Sequence, residues 1–342
     1  MTGFKKYLET IKPMVDERIR QVAARKLKDD YLVEMLARGK RLRAGLLLLV
    51  HESTSTRKPN GTVDLACAIE LAHSASLIID DMLDEDDERR GMPTVHMTEG
   101  HKRAMLDTVG ILSLPYDLVV PFGPQYVREL AATQRGMVTG VIKELVHRPE
   151  LPASKIYDII IKQKTGKPFG LAASWGYLAG LHGRRGSPSQ ERRWEAYGTH
   201  VGKAMQVADD IVDLERAILT GKRSGYGSEF LLFRCVTAER LAKELFSDIR
   251  KLDLHLARAR EKTRELWSSE GVQESLKASL EREVMAAQEQ ISAMHLTDRA
   301  HERALLDLPR EVSEIMLTEK ARASSEVRFE ALSGPIGEQV AQ

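Results

Sequence analysis

The sequence predicts an all-α protein built as a single large helical bundle, and three observations support this fold class. Apolar residues recur at three- and four-residue spacing through most of the 342 residues, which is the period of helices buried on one face. The apolar stretches are long and rich in Ala and Leu, as in VDLACAIELAHSASLIIDDML at 63–83. The sequence lacks the series of short alternating runs and hairpin turns that an antiparallel β-domain would need.

The predicted helices follow one another along the whole chain, and only IYDIIIK (156–162) also fits a strand. The connections combine Gly or Pro with polar residues and are too short to be interdomain linkers. We therefore expect one domain over residues 1–320 and a loose C-terminal tail over 321–342. The main helical segments are LLLLVHES (46–53), the stretch 63–83, IYDIIIKQKTG (156–166), WEAYGTHVGKAMQVADDIVDLE (194–215) and LAKELFSDIRKLDLHLARAREKTRELW (241–267), and the connections are STSTRKPNGT (53–62), RRGMPT (89–94), VHRPELPAS (146–154) and HGRRGSPSQ (182–190).

The composition excludes several classes of protein. Because 51 Lys and Arg residues almost cancel 50 Asp and Glu residues, the charge gives no argument for a nucleic-acid partner. The two cysteines, Cys67 and Cys235, form neither a metal-ligand spacing nor a disulfide framework, as is typical of a reducing compartment. The first residues do not resemble a signal peptide, and no apolar run approaches the roughly 18 uninterrupted residues of a membrane span. We expect a soluble cytoplasmic protein without an integral membrane segment.

An acidic cluster, LIIDDMLDEDDERRG at 77–91, directly follows an apolar helix. Asp80, Asp81 and Asp84 form a DDxxD pattern, whose four-residue spacing places the carboxylates of Asp80 and Asp84 on one face, one turn apart. Such a pair is mildly repulsive unless a cation binds, and Mg²⁺ typically takes one or two carboxylates together with substrate phosphates. Taken alone, a single DDxxD in a charge-rich helix is better explained as a solvated helix end.

A second copy of the pattern favours a metal site. Asp209, Asp210 and Asp213 have the same spacing and are flanked by apolar residues, which is an odd location for acids that merely face solvent. Two helices with matching acid pairs can face each other across a pocket and hold a cluster of Mg²⁺ ions bridged by a diphosphate.

The motifs resemble those of the trans-isoprenyl diphosphate synthases, which form the polyprenyl synthetase family and include the geranylgeranyl diphosphate synthases. DDMLDEDDERRG is similar to the family's first aspartate-rich motif, QVADDIVDLE to the second, RGKRLRAGL (38–46) to the GKxxRP segment and KTG (164–166) to the Lys-Thr motif. The likeness is good from about residue 10 to residue 222, with the motifs in the expected order. The resemblance implies the isoprenoid synthase type I fold, in which the helices surround a central cavity, and a homodimer.

The resemblance also implies the reaction. A prenyltransferase condenses isopentenyl diphosphate with an allylic diphosphate (dimethylallyl, geranyl or farnesyl) by Mg²⁺-assisted ionisation, and three Mg²⁺ ions would be the cofactor. Fixed positive charge would stabilise the departing pyrophosphate. For any single lysine or arginine, a plain surface charge is the alternative. By motif position, the catalytic residues are Asp80, Asp84, Arg89, Lys164, Asp209 and Lys222, the metal ligands are Asp80, Asp81, Asp84, Asp209, Asp210 and Asp213, and the allylic diphosphate contacts are Arg89, Lys164, Thr165, Gln206 and Lys222.

A second diphosphate pocket, built from cations without magnesium, is a further implication of the resemblance. Lys40, Arg43, His73 and Arg90 occupy the corresponding motif positions and would bind isopentenyl diphosphate. For His73, the alternative is a satisfied histidine on an otherwise apolar helix.

Product length is implied by the residues that precede the first motif. Ala75 and Ser76 stand five and four positions before its first aspartate, where bulky aromatics end the product early in the family. Because both are small, the resemblance implies a product of geranylgeranyl length or longer. Tyr116, Ala72 and Leu71 would form the next floor of the pocket, although a packed core explains them equally well.

Several positions depart from the family pattern and favour a specialised or divergent member. Ala44 replaces the usual proline, Val141 replaces the glutamine of a Gly-Gln pair, and GILSLPYDLVV (110–120) lacks the usual Gly-Asp. The stretch from Asp209 to Lys222 is one residue shorter than the common form, and a later Gly-Lys is missing from GYGSEFLLF. Two other functions stay open: a class I terpene cyclase on the same scaffold, which needs no metal-free cation pocket, and a non-catalytic subunit of a heteromeric prenyl synthase, in which aspartates tend to be lost.

Overall fold

Helices form nearly all of the described structure, which confirms the predicted fold class. The computed structural model describes residues 3–55, 61–146, 152–220, 227–237, 257–294, 296 and 301–323. The helices are α1 Phe4–Leu27, α2 Asp30–Ala37, α3 Leu42–Thr54, α4 Thr62–Asp84, α5 Val95–Val119, α6 Pro124–Leu145, α7 Ala153–Ile161, α8 Lys167–Gly180, α9 Pro188–Thr220, α10 Ser228–Val236, α11 Ala257–Trp267, α12 Glu270–Ser292 and α13 Glu302–Ala323, joined in part by a 3-10 turn at Val120–Phe122, a π-helical turn at Lys162–Gly166 and two short strands, β1 Glu88–Arg89 and β2 Met92–Pro93.

Two sequence predictions about segments have different outcomes. IYDIIIK is helical, because α7 contains its first six residues and the π-helical turn contains the seventh. The predicted tail at 321–342 begins inside α13, which extends to Ala323, and residues 324–342 lie outside the described residues. The division into one domain and a tail stays a prediction.

The apolar core consists of two clusters of buried side chains, and α9 contributes to both. Its first half, from Trp194 to Met205, packs in the larger cluster with α1, α3, α4 and α8. Its second half, from Ala204 to Ile218, packs in the smaller cluster with α7, α10 and α12. The helix that contains the second acidic motif is therefore held along most of its length.

Two glycines allow α9 to approach α8 and the π-helical turn closely. A Cβ atom at Gly198 would lie 2.2 Å from the carbonyl oxygen of Phe169, and one at Gly202 would lie 2.7 Å from that of Thr165. Four-residue spacing places Gly198, Gly202 and Gln206 on one face of α9, with Asp210 next in the series. Because neither glycine has a side chain, this face of α9 can pack directly against Thr165.

The RRG segment forms a hairpin that the sequence predicted only as a break. Arg89 pairs with Met92 across the two strands, and the two turn residues between them, Arg90 and Gly91, have φ values of 56° and 75°. Positive φ at both central residues is typical of a tight type I′ hairpin turn. The turn holds the two neighbouring arginines in different orientations.

Two described segments are long and apolar enough to cross a membrane by length and composition. They are α4 and the segment Val95–Phe122, and the most apolar window of α4 is 67% buried inside the protein while that of the second segment is 33% buried. Such helices are weak evidence for a membrane protein, since core helices pass the same test. Burial accounts for the apolar character of α4.

Candidate active site

The first acidic motif occupies the C-terminal end of α4. The helix dipole disfavours negative charge there, because the last carbonyl groups already have partial negative charge. Asp80 and Asp84 are partly exposed, whereas Asp81 is buried. Burial raises the pKa of Asp80, and it raises the pKa of Asp84 to about 7, although Lys164 opposes both shifts. Acids held where their charge is disfavoured are typical of functional sites.

A lysine–glutamate pair adjoins this motif. The ammonium group of Lys164 donates a hydrogen bond of 2.9 Å to Oε2 of Glu144, a buried residue of α6. Burial by itself lowers the pKa of Lys164, but the carboxylates of Glu144, Asp80 and Asp84 outweigh it and raise the pKa above its ordinary value. Lys164 is therefore a permanent cation among carboxylates.

The second acidic motif lies in the middle of α9 and has different partners. Asp209 and Asp213 are partly exposed, while Asp210 is 2% exposed. Burial raises the pKa of Asp210 to about 7, although its hydrogen bonds oppose the shift. The carboxylate of Asp210 accepts hydrogen bonds from Tyr157 Oη (2.8 Å), Gln206 Nε2 (3.0 Å) and Ser228 Oγ (2.8 Å).

The π-helical turn connects the two motifs. Lys164 faces the acids of α4, and the next residue, Thr165, donates a hydrogen bond of 2.6 Å from Oγ1 to Oε1 of Gln206 on α9. Turns of this kind are frequent at functional sites because they interrupt the regular direction of side chains. Two consecutive side chains thus link the surroundings of the two motifs: Lys164 acts electrostatically on the acids of α4, and Thr165 bonds to Gln206 of α9.

The two arginines of the hairpin have separate partners. The Nε of Arg89 donates a hydrogen bond to Asp81, and its Nη2 lies 3.4 Å from Oδ2 of Asp86. The Nη1 of Arg90 donates to the carbonyl oxygen of Arg38. Asp81 is therefore paired with a cation, in contrast to Asp80 and Asp84 among the described ion pairs. Asp86 lies at the edge of the site, beside the same arginine.

A cation pocket lies beside this hairpin. The ring of His73 is partly buried, and desolvation together with the positive charges of Arg43, Arg90, Arg89 and Arg41 lowers its pKa well below the ordinary value. His73 is therefore a neutral hydrogen-bonding group among four arginines. A cluster of this composition suits an anion with several oxygen acceptors.

Arg43 is the most buried of the predicted cations in this pocket. Its guanidinium carbon lies 4.7 Å from the ring centroid of Phe169, and its Nε atom is buried without a hydrogen-bond partner among the described residues. Burial lowers the pKa of Arg43 to about 10, which still leaves it charged at neutral pH. The Arg43 side chain is therefore held in place, and its Nε donor has no acceptor among the described residues.

Of the two other predicted lysines, Lys40 has a contact outside the cation pocket and Lys222 is not described. The Nζ atom of Lys40 is 3.3 Å from the sulfur of Met316 on α13, so this lysine bridges the pocket segment and the last helix. Lys222 falls within 221–226, outside the described residues.

The residues proposed to control product length lie on α4 as the spacing requires. Ala75 is fully buried and Ser76 is partly buried, one turn before Asp80. Farther from the acids, Tyr116 on α5 donates a hydrogen bond of 2.5 Å to Oε1 of Gln134 on α6. The Nε2 atom of this glutamine is buried without a partner among the described residues.

The donor set of the cleft fits a divalent metal ion with oxygen ligands. Four of the aspartates are partly exposed, and Oε1 of the buried Glu229, near Asp210 and Asp213, accepts no hydrogen bond from the described residues. No three His, Cys, Asp or Glu side chains of the described chain form a complete ligand group by themselves. This arrangement suits Mg²⁺, which keeps waters and uses substrate phosphates to complete its coordination.

Four residues of the site were missed by the sequence reasoning: Glu144, Tyr157, Ser228 and Glu229. Glu144 had a signal, since it continues the face of Met137 and Val141 on α6 at helical spacing and replaces an expected apolar residue. The other three are brought to Asp210 only by the packing of α7 and α10 on α9.

Comparisons with known proteins show the family to which the chain belongs. A model of the family described as "Polyprenyl synthetase" matches residues 26–225. The chain is 33% identical over 226 residues to a farnesyl diphosphate synthase from Geobacillus stearothermophilus, covering 62% of this chain and 74% of the relative. It is 31% identical over 237 residues to a geranylgeranyl diphosphate synthase from Pseudescherichia vulneris, covering 65% and 75%.

A solved structure shows the same fold. The decaprenyl diphosphate synthase from Rhodobacter capsulatus superposes with a TM-score of 0.74 at 22% identity, covering 92% of this chain and 99% of that one. The arrangement of helices around the cleft is therefore that of the isoprenoid synthases.

Proposed function

Because the chain belongs to the polyprenyl synthetase family and is by that membership a trans-prenyltransferase, we propose that it joins isopentenyl diphosphate to an allylic diphosphate. One observation carries the proposal: of two consecutive residues, Lys164 is charged in the field of Asp80 and Asp84 on α4, and Thr165 donates a hydrogen bond to Gln206, which donates to Asp210 on α9. A diphosphate bound there would lie between cations on one side and metal-binding carboxylates on the other.

We assign the allylic diphosphate to the cleft between α4 and α9. Divalent metal ions, which we propose to be three Mg²⁺, would be held by Asp80, Asp84, Asp209 and Asp213, with Asp81 and Asp210 acting through water. When bound, such ions neutralise the charge that develops on the leaving pyrophosphate. Glu229 is a further candidate ligand of this site, because its buried carboxylate oxygen has no partner among the described residues.

Protein cations complete the binding of the leaving group. Lys164, which Glu144 orients, would contact the diphosphate, and Arg89 would extend the positive charge from the hairpin. Thr165 and Gln206 would fix the position of the diphosphate through their shared hydrogen bond, and Lys222 would add a further cation. Fixed charges of this kind are among the largest contributions to catalysis of charge separation.

Isopentenyl diphosphate would occupy the cation pocket. Arg43, Arg90 and Lys40 would bind its phosphates, and the neutral His73 would donate one hydrogen bond without adding charge. During the reaction the allylic C–O bond breaks and pyrophosphate leaves with the electron pair. The double bond of isopentenyl diphosphate then forms the new C–C bond, and a proton passes to the released pyrophosphate.

We further propose a product of geranylgeranyl length or longer. Below the acids, α6 presents the partly buried apolar residues Val141 and Met137, and α4 presents the small Ser76. Gln134, ten residues before Glu144, lies about 15 Å farther along α6 at 1.5 Å per residue. Its buried hydrogen bond with Tyr116 is a candidate floor, because a longer chain would have to separate two buried polar groups.

Product analysis tests both parts of this proposal. Purified protein is incubated with Mg²⁺, isopentenyl diphosphate and each allylic diphosphate, and the chain length of the product is read by chromatography. A hydrocarbon formed from the allylic substrate alone would favour a terpene cyclase. Activity that depends on an added partner subunit would favour a heteromeric synthase.

Bulky substitutions at the proposed length-controlling positions sharpen the test. Ala75→Phe and Ser76→Phe should shorten the product by at least one isoprene unit, because the new ring would fill the pocket one turn below Asp80. Ser76 is the safer site, since it is partly exposed whereas Ala75 is fully buried. An unchanged product length in a folded Ser76→Phe variant would contradict this placement of the pocket.

We also propose that two copies of the chain associate through α5 and α6 as a soluble cytoplasmic homodimer. Val138 and Ile142 on α6 and Val146 directly after it repeat every four residues and are 55%, 53% and 65% exposed, and Leu106 and Val109 on α5 are 70% and 68% exposed. Exposed apolar groups that lie together are typical of an interface. Val138→Glu should shift the molar mass measured by light scattering from dimer to monomer; an unchanged mass would exclude this face.

A further inference from the structure

We propose that Glu70, a residue of α4 outside every motif discussed above, positions the cation pocket for isopentenyl diphosphate. The inference rests on the proposed function, since it concerns the same pocket. Glu70 is 3% exposed, one helical turn before His73 and far along α4 from the acidic motif. A buried carboxylate is costly unless it has several partners, so its contacts indicate what it does.

Glu70 caps α3 from a neighbouring helix. Its Oε1 accepts hydrogen bonds from the backbone N–H of Arg43 (3.1 Å) and of Ala44 (2.9 Å). The first amides of a helix have no intrahelical acceptor, and the N-cap residue of α3, Arg41, makes no side-chain cap. Glu70 therefore supplies the acceptor that the local sequence does not.

The same carboxylate faces a buried arginine that shapes the preceding loop. The guanidinium of Arg41 donates to Oδ1 of Asp16 (2.6 Å) and to the carbonyl oxygen of Leu36 (2.7 Å), and its Nη1 lies 3.7 Å from Oε2 of Glu70. Arg41 has a φ of 58°, a conformation that non-glycine residues adopt only when their surroundings hold them there. The two acids hold this turn between Lys40 and Arg43.

The pocket thus depends on Glu70 from two sides. On α3 it fixes the backbone of Arg43, whose side chain then lies over Phe169 with a free Nε donor. On α4 it is one turn from His73, so the carboxylate sets the register of the two helices that supply the pocket. Small errors in the position of such groups have large effects on binding and rate.

One of the two capping bonds distinguishes this chain from the pattern it resembles. Ala44 stands where that pattern has proline, and proline has no N–H to donate. The 2.9 Å bond from Ala44 to Glu70 is therefore available only because of this departure. It gives the carboxylate a second backbone donor and a firmer attachment to α3.

Steady-state kinetics for both substrates, with melting temperatures, test the inference. Glu70→Leu should raise KM for isopentenyl diphosphate about tenfold, with KM for the allylic substrate and kcat at saturation unchanged, because only the cation pocket shifts. Glu70→Gln keeps the acceptor oxygen and should recover most of the loss. Ala44→Pro should raise the same KM about twofold to threefold, whereas the matched control Ala44→Gly keeps the N–H and should keep the original KM.

Each alternative outcome has one meaning. A lower melting temperature without a change in KM for isopentenyl diphosphate, or an equal rise in both KM values, would overturn the positioning role. If Glu70→Leu does not fold, the Gln and Pro variants decide, because both retain the packing of the site. If Arg43→Ala leaves KM for isopentenyl diphosphate unchanged, the pocket itself is misassigned and the failure belongs to the proposed function.

Discussion

The two acidic motifs have identical spacing and opposite surroundings. At the end of α4, Asp81 is paired with Arg89, and Lys164 lies near the outer acids. In the middle of α9, Asp210 accepts hydrogen bonds only from neutral side chains among its described partners, as from Tyr157. Among the described residues, the first motif therefore has cations as neighbours, and the central acid of the second motif has neutral donors.

The middle acid has the same place in both motifs. Asp81 and Asp210 are buried and held by the protein, while the first and last acids of each motif are partly exposed to the cleft. The comparison teaches that one sequence pattern contains two kinds of acid: outer ones that are partly exposed and a central one that is buried and held by hydrogen bonds. Supporting groups of this kind strongly affect metal affinity.

The largest expected effect comes from substituting the first acid of each motif. Asp80→Asn and Asp209→Asn should each lower kcat by about two to three orders of magnitude, because either change would weaken the binding of the metal ions whose positive charge stabilises the leaving group. The double variant should lose little more than either single one, since the two motifs act as a unit. Fully multiplicative losses would mean that the motifs serve separate sites.

The second motif alone should depend on its neutral donors. Tyr157→Phe removes the 2.8 Å hydrogen bond to Asp210 and should weaken metal binding about tenfold to a hundredfold. The measurement is activity titrated against Mg²⁺, with recovery at high Mg²⁺ expected. Tyr177→Phe is the matched control, because its hydroxyl accepts a bond from the backbone of Ser187 outside the cleft. Equal losses in both variants would contradict a specific role.

The first motif alone should depend on its lysine. Glu144→Gln leaves Lys164 with weaker orientation, so KM for the allylic diphosphate should rise about threefold to tenfold while KM for isopentenyl diphosphate stays constant. A rise in KM for isopentenyl diphosphate would show that the effect of Lys164 is not restricted to the allylic diphosphate.

The smallest effect on activity should come from the ionic network that anchors α9. Lys203 donates to Glu283 (2.8 Å) and to Asp158 (2.7 Å), and His200 also contacts Glu283 (2.7 Å). Glu283→Gln should lower the free energy of unfolding by about 2 kcal/mol at pH 7 with little change in kcat. Chemical denaturation at several pH values measures it.

The pH dependence of this variant has a definite sign. Burial alone raises the pKa of Glu283, but His200 and Lys203 outweigh it and hold the pKa below its ordinary value. Its contribution to stability is complete above the ordinary pKa of a glutamate, about 4.3, and is lost as pH falls through the lowered value. The difference between Glu283→Gln and the original protein should therefore shrink in acid; a constant difference down to the lowest pH would exclude this cause.

Helical periodicity predicted the all-α class because nearly every helix has one buried face. The same periodicity placed both DDxxD motifs on helices, whereas the role expected of KTG came from the family resemblance alone. It did not reveal that KTG forms a π-helical turn or that RRG forms a hairpin, because both depend on tertiary contacts. Glu70 was equally hidden, since its partners are backbone amides of another helix.

The glycines of α9 have a consequence for how this enzyme can change. Gly198 and Gly202 are the spacers that set how near α9 lies to the lysine–threonine turn, and each has room for hydrogen alone. Adding one methyl group there would widen the gap between α9, with its acidic motif, and the lysine–threonine turn without changing either of them. Differences in catalytic rate among evolved variants of this protein are therefore best sought at Gly198 and Gly202, two positions that have no side chain.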